Sequence, residues 1–496
     1  MILSIYFGFH DSCITLANKE KVLLHLEGER YFRRKHVRAS AKEMDELIDV
    51  ALKYVGITID DIEELLLASW FSEYDLNEIE ILGRKFKPVI TSHHKNHIGT
   101  VLPFGQKDFL AIVADGGSED GTTKFYNYSN QKLKLLADYD DDIITGKFFG
   151  TLTQLIIDPN HQLAHQSYPG KLMGLAPLGK WSDELAELIQ KNANDLNKLH
   201  DDCSHLRKIF NLSDNYDSYW NDKRRCDLAF TGQSIWISKF ISLISKHKKG
   251  HSEIRLSGGC ALNLELISAL EKTDWFDKVL VSPISNDSGQ SLGAILWRYP
   301  KIECKYPFLG RSFGEVENLD FNQLLRDILD LKIIAWFEGT SEIGPRALGH
   351  RSFLGLPKNE LMRTRISVEI KKREGFRPVS PMIPIEMVSD WFDTTGVSPF
   401  MTTSWEAKEK TKKLAPAIVH VDGTSRVQTI RKEDNPVLHK LLIELNNQGH
   451  PPILMNTSFN SVGEPNVDTP EDAKKTFKST GADVLYINGK RERSNT

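Results

Sequence analysis

Apolar residues follow two rhythms through the first 300 positions. Short runs at Ile2–Phe7, Val22–Leu26, Leu65–Ala68, Phe109–Val113 and Val279–Val281 read as strands. Between them, Ala41–Val55 places Met44, Leu47, Ile48, Ala51 and Leu52 on one helical face, and Asp227–Lys246 carries Ile235, Phe240, Ile241 and Ile244. This alternation predicts an α/β fold with a mixed sheet. From 299 to 319, in YPKIECKYPFLGRSFGEVENL, prolines and glycines break every period, so a connection between domains is expected there. Beyond it Ile333–Phe337, Ala417–Val421, Ile453–Met455 and Val484–Ile487 read as strands, and Asn435–Asn447 and Pro470–Ser479 as helices. The expected division is a first domain over 1–300, a linker over 301–318 and a second α/β domain over 319–496, ending in a solvated tail, GKRERSNT. No fixed-period repeat is visible.

Composition supports this picture. At 496 residues the chain exceeds what one hydrophobic core supports, and 40% hydrophobic with 26% charged residues is an ordinary globular balance. Lys and Arg number 63 against 67 Asp and Glu, so no global positive field recommends nucleic acid or an anionic membrane. The opening strand meets His10 and Asp11 before a signal-length apolar core develops, and no run is long enough to span a bilayer, so a cytoplasmic protein is expected. The cysteines, Cys13, Cys203, Cys226, Cys260 and Cys304, are odd in number and widely spaced, which suggests packed thiols.

Chemistry-bearing residues concentrate in two places. In SHHKNHIGT, His93 and His97 lie four apart, so on a helix their rings share one face. Alone, such a pair is more often packed or superficial. Asp115 in VADGGSEDG and Asp287 in ISNDSGQSLGA each sit in a Gly-rich turn after a strand, and together the four make an N2O2 donor set suited to iron(II), manganese, zinc or cobalt. Gly258 and Gly259 in LSGGCALN fall between a strand and a helix, where backbone N–H groups can face a phosphate, and DSGQSLGA offers a similar turn. Lys171 in GKLMGLAP offers a flexible point charge suited to such a phosphate, and His10 in GFHDS is of the residue type whose ordinary pKa suits a general base.

The second concentration is richer in arginine. Arg346 and Arg351 lie in GPRALGHRS, Lys371, Lys372, Arg373 and Arg377 in EIKKREGFRPVSP, Arg426 in HVDGTSRVQT, and Asn456 and Ser458 in MNTSFN. Several guanidinium groups in one site suit a small, highly charged anion such as an acyl phosphate or a triphosphate. The absence of a basic stripe with stacking aromatics weighs against RNA.

The ordered series GFHDS, ERYFRRKH, SHHKNH, VADGG, GKLMGLAP, LSGGCALN, NDSGQSLGA, GPRALGHRS, FRPVSP, HVDGTSRVQT and MNTSFN resembles the carbamoyltransferases of the nodulation and cephamycin type (NodU/CmcH) over nearly the whole chain. The resemblance implies a duplicated ASKHA first domain, similar to actin and sugar kinases, and a YrdC-like second domain. It implies an ATP-dependent O-carbamoyltransferase, in which the second domain makes carbamoyl adenylate from carbamoyl phosphate and ATP with Mg2+. The first domain then passes the carbamoyl group to a hydroxyl of a small-molecule acceptor, a sugar or a natural product as in antibiotic biosynthesis.

Residue by residue, it implies a carbamoyl phosphate site of Arg346, Arg351, Lys371, Arg377, Arg426, Asn456 and Ser458. It further implies a metal set of His93, His97, Asp115 and Asp287 holding Fe(II), catalytic His10 and Lys35, and Lys171, Gly258, Gly259 and Asn263 around the adenylate. Thr340 departs from the family, which often has arginine there, and Arg311 stands where proline is common. Two other readings stay open: a tRNA-directed threonylcarbamoyl-type transferase, and a non-catalytic regulatory protein that binds nucleotide and metal. The acceptor is not readable from these motifs, and homo-oligomerisation is left open.

Overall fold

A computed structural model describes residues 1–69, 78–105, 107–140, 143–157, 168–198, 200, 202–394 and 396–493. The chain divides into two compact units, one of Met1–Pro103 with Asp287–Thr496 and one of Phe104–Asn286.

The first unit opens with a five-stranded sheet of β1 (Ile2–Phe7), β2 (Cys13–Ala17), β3 (Val22–Glu27), β4 (Glu64–Ser69) and β5 (Val89–Thr91), in the order β3-β2-β1-β4-β5. β1, β2 and β3 form an antiparallel meander, and β4 and β5 add in parallel. Helix α1 (Ala41–Val55) begins where predicted, because Ser40 accepts from the Glu43 amide while the Glu43 carboxylate returns to the Ser40 amide at 2.8 Å. Gly56, at φ 79°, ends it. Its apolar face, Met44, Leu47, Ile48, Ala51 and Leu52, packs on Leu3, Ile5, Ile14, Leu16 and Leu24 of the sheet.

The second unit repeats this order. β6 (Phe109–Ala114), β7 (Thr123–Ser129) and β8 (Lys132–Asp138) form the meander, and β9 (Glu253–Ser257) and β10 (Lys278–Val281) add in parallel, in the order β8-β7-β6-β9-β10. Two sheets with one strand order and one pattern of directions constitute the duplicated ASKHA architecture. A long helix, Lys223–His247, begins four residues before the predicted one because Asp222 caps it, accepting from the amides of Arg224 and Arg225.

The remainder of the first unit carries a seven-stranded mixed sheet of β11 (Ile334–Phe337), β12 (Arg351–Gly355), β13 (Ser380–Pro384), β14 (Gln428–Ile430), β15 (Leu454–Ser458), β16 (Val484–Ile487) and β17 (Lys490–Arg493). Its order is β14-β13-β15-β12-β11-β16-β17. β11 reads apolar at every position because both faces are covered: Ala335 and Phe337 join one core, Ile334 and Trp336 the other. Within the predicted linker, Phe308–Ser312 is itself a strand that pairs with Thr340–Glu342.

Two sequence expectations are corrected here. Ala417–Val421 is not a strand: Pro416 starts a single helical turn over Pro416–Ile418 that buries Ala417 and Ile418. Nor is the end of the chain a loose tail as far as Arg493. Lys490–Arg493 pairs with β16, held by Arg491, whose Nε and Nη2 donate to the buried Asp327 carboxylate at 2.7 and 2.9 Å; residues 494–496 of the expected tail lie outside the described residues. The five cysteines are unpaired, and among the described residues no helix is long and apolar enough to cross a membrane.

Glu338, just beyond β11, provides a test of this core. Burial pushes its carboxyl from 4.5 up to about 7, against a hydrogen bond from Asn435 and the charge of Arg351. Between those two values the folded protein keeps a proton that the unfolded chain has released, so stability falls as pH rises through that window. Glu338→Gln is expected to remove this slope, on the order of 3 kcal/mol in full, seen by comparing denaturation midpoints at about pH 4.5 and about pH 8.

Candidate functional site

The predicted histidine pair lies on helix α2 (His93–Gly99), with both rings buried and the two Nε2 atoms 3.1 Å apart. Asp287, also buried, opens a turn over Asp287–Gly289 that leads into helix α3 (Gln290–Arg298). Its Oδ1 lies 3.4 Å from His93 Nε2 and 3.4 Å from His97 Nε2. Donor atoms bound about 2.0–2.1 Å from one ion stand roughly 3 Å from each other, so the set fits a divalent transition metal. Burial alone would raise the Asp287 carboxyl. Charge and hydrogen bonds from His93 and His97, with the charge of His10, outweigh burial and hold it well below the usual carboxylate range.

These three residues converge because α2 and α3 touch backbone to backbone. A Cβ on Gly99 would lie 2.0 Å from the Gly293 carbonyl oxygen, and one on Gly293 would lie 1.9 Å from that of Asn96. Gly293, read from sequence as part of a phosphate-binding turn, is thus a mid-helix contact glycine.

His10 sits in the turn between β1 and β2. Its Nδ1 is 3.1 Å from Asp11 Oδ2 and its Nε2 is 3.8 Å from Asp287 Oδ2, so the structure brings this predicted base beside the candidate metal ligands. Asp11, at φ 54°, also meets His36 Nδ1 at 3.1 Å. Burial would raise its carboxyl, but hydrogen bonds and charge from the two histidines hold it well below the ordinary range. Lys35 is exposed in the turn before α1, and its charge reaches Lys371.

In the second unit Asp115 follows β6, and its Oδ1 accepts from the Gly116 amide at 2.7 Å. A Cβ on Gly259 would stand 3.4 Å from that same oxygen. Gly258, at φ 90°, must be glycine, since a Cβ there would meet the Ala114 carbonyl oxygen at 2.2 Å. Asn263 caps the following helix, Leu264–Glu271, by accepting from the Leu266 amide at 3.2 Å. Its Nδ2, though buried, has no hydrogen-bond partner among the described residues. Lys171 lies in a short helix, Pro169–Leu175, with Nζ 3.9 Å from the centre of the Tyr168 ring.

The arginine-rich segments meet around the seven-stranded sheet. Arg346 is lowered to about 10 by burial and the charge of Arg377, and Arg426 is held well below the usual arginine range by burial and the charges of Arg346, Arg373 and Arg377. Arg373 falls to about 9 for the same reasons, chiefly burial and Arg377. Nearby negative charge is sparse: Arg377 Nη1 lies 3.5 Å from Glu374 Oε2, and Glu464 acts on Lys371. Arg426 is held by Ser380, whose Oγ accepts from its Nε at 2.7 Å. The Nε of Arg346 is buried with no acceptor among the described residues. Guanidinium groups stay cationic at neutral pH, so this is a concentration of positive charge built to receive an anion.

Not every predicted member faces that space. Lys371 Nζ donates to the Ser458 carbonyl at 2.6 Å, to the Asn460 carbonyl at 2.7 Å and to the Asn460 side chain, fixing the turn after β15. Ser458 Oγ donates to Asn460 Oδ1 at 2.7 Å. Asn456 donates to the Ala347 carbonyl at 3.1 Å and to Gln428 at 2.7 Å, so it props the loop that carries Arg346. Arg351 is placed apart from the cluster. It donates to the carbonyls of Glu338, Gly339 and His350, and stacks on Phe337 at 3.5 Å, as a strut within the sheet.

Arg373, which the sequence shows only as one member of a basic run, lies beside Arg426, and Asn460, which it shows only as the last residue of MNTSFN, holds Lys371. A Lys-Lys-Arg run has no period to say which member turns inward. Here exposed Lys372 takes φ 48°, and the run re-enters the fold at Arg373, whose Nη1 donates to Thr457 Oγ1 at 3.3 Å.

Comparison with known proteins gives consistent matches. The family model described as Carbamoyltransferase N-terminus matches residues 76–296, and that described as Carbamoyltransferase C-terminus matches residues 325–491. The chain is 27% identical to the nodulation protein NolNO of Sinorhizobium fredii, over 96% of this chain and 78% of that protein. It is 32% identical to the 3'-hydroxymethylcephem-O-carbamoyltransferase of Amycolatopsis lactamdurans, over 48% of each. Among solved structures, the activator of 2-hydroxyisocaproyl-CoA dehydratase from Clostridium difficile is similar at 13% identity and a TM-score of 0.38, covering 60% of this chain and 94% of that one.

Proposed function

Because this chain belongs to the carbamoyltransferase family, and is therefore a transferase, we propose that it is a cytoplasmic, ATP-dependent O-carbamoyltransferase. Water cleaves carbamoyl phosphate to carbamate and phosphate, a carbamate oxygen attacks the α-phosphorus of ATP to give carbamoyl adenylate with release of pyrophosphate, and the carbamoyl group then passes to a hydroxyl of a natural product or sugar with AMP as the leaving group. The observation that carries this reading is Arg346, a half-buried side chain among Arg373, Arg377 and Arg426 whose buried Nε has no acceptor among the described residues.

Residues 319–496 are assigned the activation step. Arg346, Arg373, Arg377 and Arg426 bind the phosphate of carbamoyl phosphate, while Lys371, Asn456 and Ser458 hold the loops that present them, with Arg351 stiffening the sheet behind. Residues 1–300 are assigned the transfer step. Gly258, Gly259, Asn263 and Lys171 take the nucleotide, and Lys35 extends the positive field. His93, His97 and Asp287 would hold a divalent metal, iron(II) by the family resemblance, with Asp115 as fourth ligand. When bound, such an ion supplies a Lewis acid for the carbamoyl carbonyl or an α-phosphate oxygen. His10, oriented by Asp11, takes the proton of the attacking hydroxyl.

The test is to incubate the full chain with ATP, Mg2+, iron(II) under argon and carbamoyl phosphate, and to follow pyrophosphate and carbamoyl adenylate by mass spectrometry. Both products are expected. Metal-loaded protein that makes neither sinks the reading.

A further inference from the structure

We propose that Tyr6 is a positioning residue for the candidate metal centre, holding Asp287 so that it offers one oxygen only to the ion, and that Gly8 is glycine in order to seat the Tyr6 hydroxyl. This rests on the metal reading given above and says how that site is built.

Tyr6 lies near the end of β1, in register with Cys13 and Ala68, and is buried. Strand alternation sends Leu3 and Ile5 toward the core beneath α1, so Tyr6 projects from the opposite face, where its ring centre is 6.3 Å from that of His93. Its hydroxyl donates to Asp287 Oδ2 at 2.6 Å. The two carboxylate oxygens therefore have separate duties. Oδ1 faces the Nε2 atoms of His93 and His97 at 3.4 Å each, while Oδ2 is taken by the phenol.

That division has two consequences. A carboxylate whose second oxygen is tied cannot turn to bind an ion through both, so a coordination position stays open for the reacting group. His10 Nε2 stands 3.8 Å from the same Oδ2, beyond hydrogen-bonding distance, so the phenol and not the imidazole fixes that oxygen.

Gly8 is the independent observation. A Cβ there would fall 2.3 Å from Tyr6 Oη and 2.3 Å from Tyr6 Cζ, so any side chain at position 8 expels the phenol from its place. A buried tyrosine needs only some acceptor. A neighbouring residue reduced to hydrogen to admit the hydroxyl shows that the place itself is specified.

The experiment titrates the full-length protein with Co(II), reading affinity by competition with a chelator and coordination by the visible absorption band. Wild type, Tyr6→Phe, Gly8→Ala and Asp287→Ala are compared, with thermal midpoints to confirm folding. Tyr6→Phe keeps the ring and is expected to bind Co(II) roughly 10- to 100-fold more weakly, with a weaker band as the carboxylate goes bidentate. Gly8→Ala is expected to shift both readouts in the same direction. If Tyr6→Phe binds as wild type does, with an unchanged band, the inference is overturned while the metal reading stands. If wild type gives no band sensitive to Asp287→Ala, both are overturned.

Discussion

Arg346→Ala is expected to lower the rate of adenylate formation by roughly 10²- to 10⁴-fold and, at the same time, to raise the thermal midpoint by about 1–3 °C. The first effect follows from losing charge-assisted hydrogen bonds to an anion, each contributing about 1.5–3 kcal/mol, where a guanidinium can make two in parallel. The second follows from the crowding of like charges among these arginines. The charge of Arg377 depresses Arg346, Arg426 and Arg373 feel both, and the buried Nε of Arg346 has no acceptor among the described residues. Removing one member relieves repulsion and burial cost that only a bound anion offsets. Pyrophosphate release measures the first effect, and calorimetry with and without carbamoyl phosphate measures the second. Carbamoyl phosphate should stabilise wild type and leave the variant unmoved, whereas His93→Ala should still make adenylate. A variant that loses stability along with activity would recast Arg346 as a structural residue like Arg351.

The contrast between Arg346 and Arg351 marks how far the sequence could be read. Arginines in Gly/Pro-punctuated segments announce an anion site, but spacing cannot say which guanidinium points into it. Arg351 lies on β12 opposite Phe337, where alternation and neighbouring carbonyls turn it inward as a strut. Elements with local signals were legible. α1 is bounded by Ser40, Glu43 and Gly56, and β11 by an unbroken apolar run. Elements whose signals are non-local were not. The central strand Ser380–Pro384 contains Pro381 and Pro384, which argue against a strand; each lies beyond one of its two pairings, since Pro381 precedes the parallel pairing with β14, which starts at Met382, and Pro384 follows the antiparallel pairing with β15, which ends there. Lys490–Arg493 is polar throughout and becomes a strand only because β16 and Asp327 await it. The duplication of the first two sheets leaves no periodic trace, since one strand order can be built from unrelated apolar residues. His93 and His97 were legible as a pair, whereas Tyr6 and Gly8 gain meaning only when Asp287, nearly the whole first domain away in sequence, folds back beside them.

Gly293→Ala carries the other large expectation, because two known magnitudes oppose each other at that position. In an open helix the change would stabilise by about 1 kcal/mol, since alanine is the better helix former. Here the new methyl would lie 1.9 Å from the Asn96 carbonyl oxygen and 2.7 Å from its carbon, against backbone that has no rotamer to escape into. Overpacking of this kind costs roughly 1–3 kcal/mol even where side chains can move, so the net change is expected to be a loss of about 2 kcal/mol or more. The helices can relieve the clash only by separating, and an ångström of separation moves His93 and His97 away from Asp287 Oδ1, now 3.4 Å from each. The variant should therefore lose Co(II) affinity by more than tenfold with a lower thermal midpoint, yet still release pyrophosphate in the activation step, whose arginines lie on other elements. A higher midpoint with metal affinity intact would mean that α2 and α3 do not depend on this contact, and the convergence of the histidines on Asp287 would need another cause.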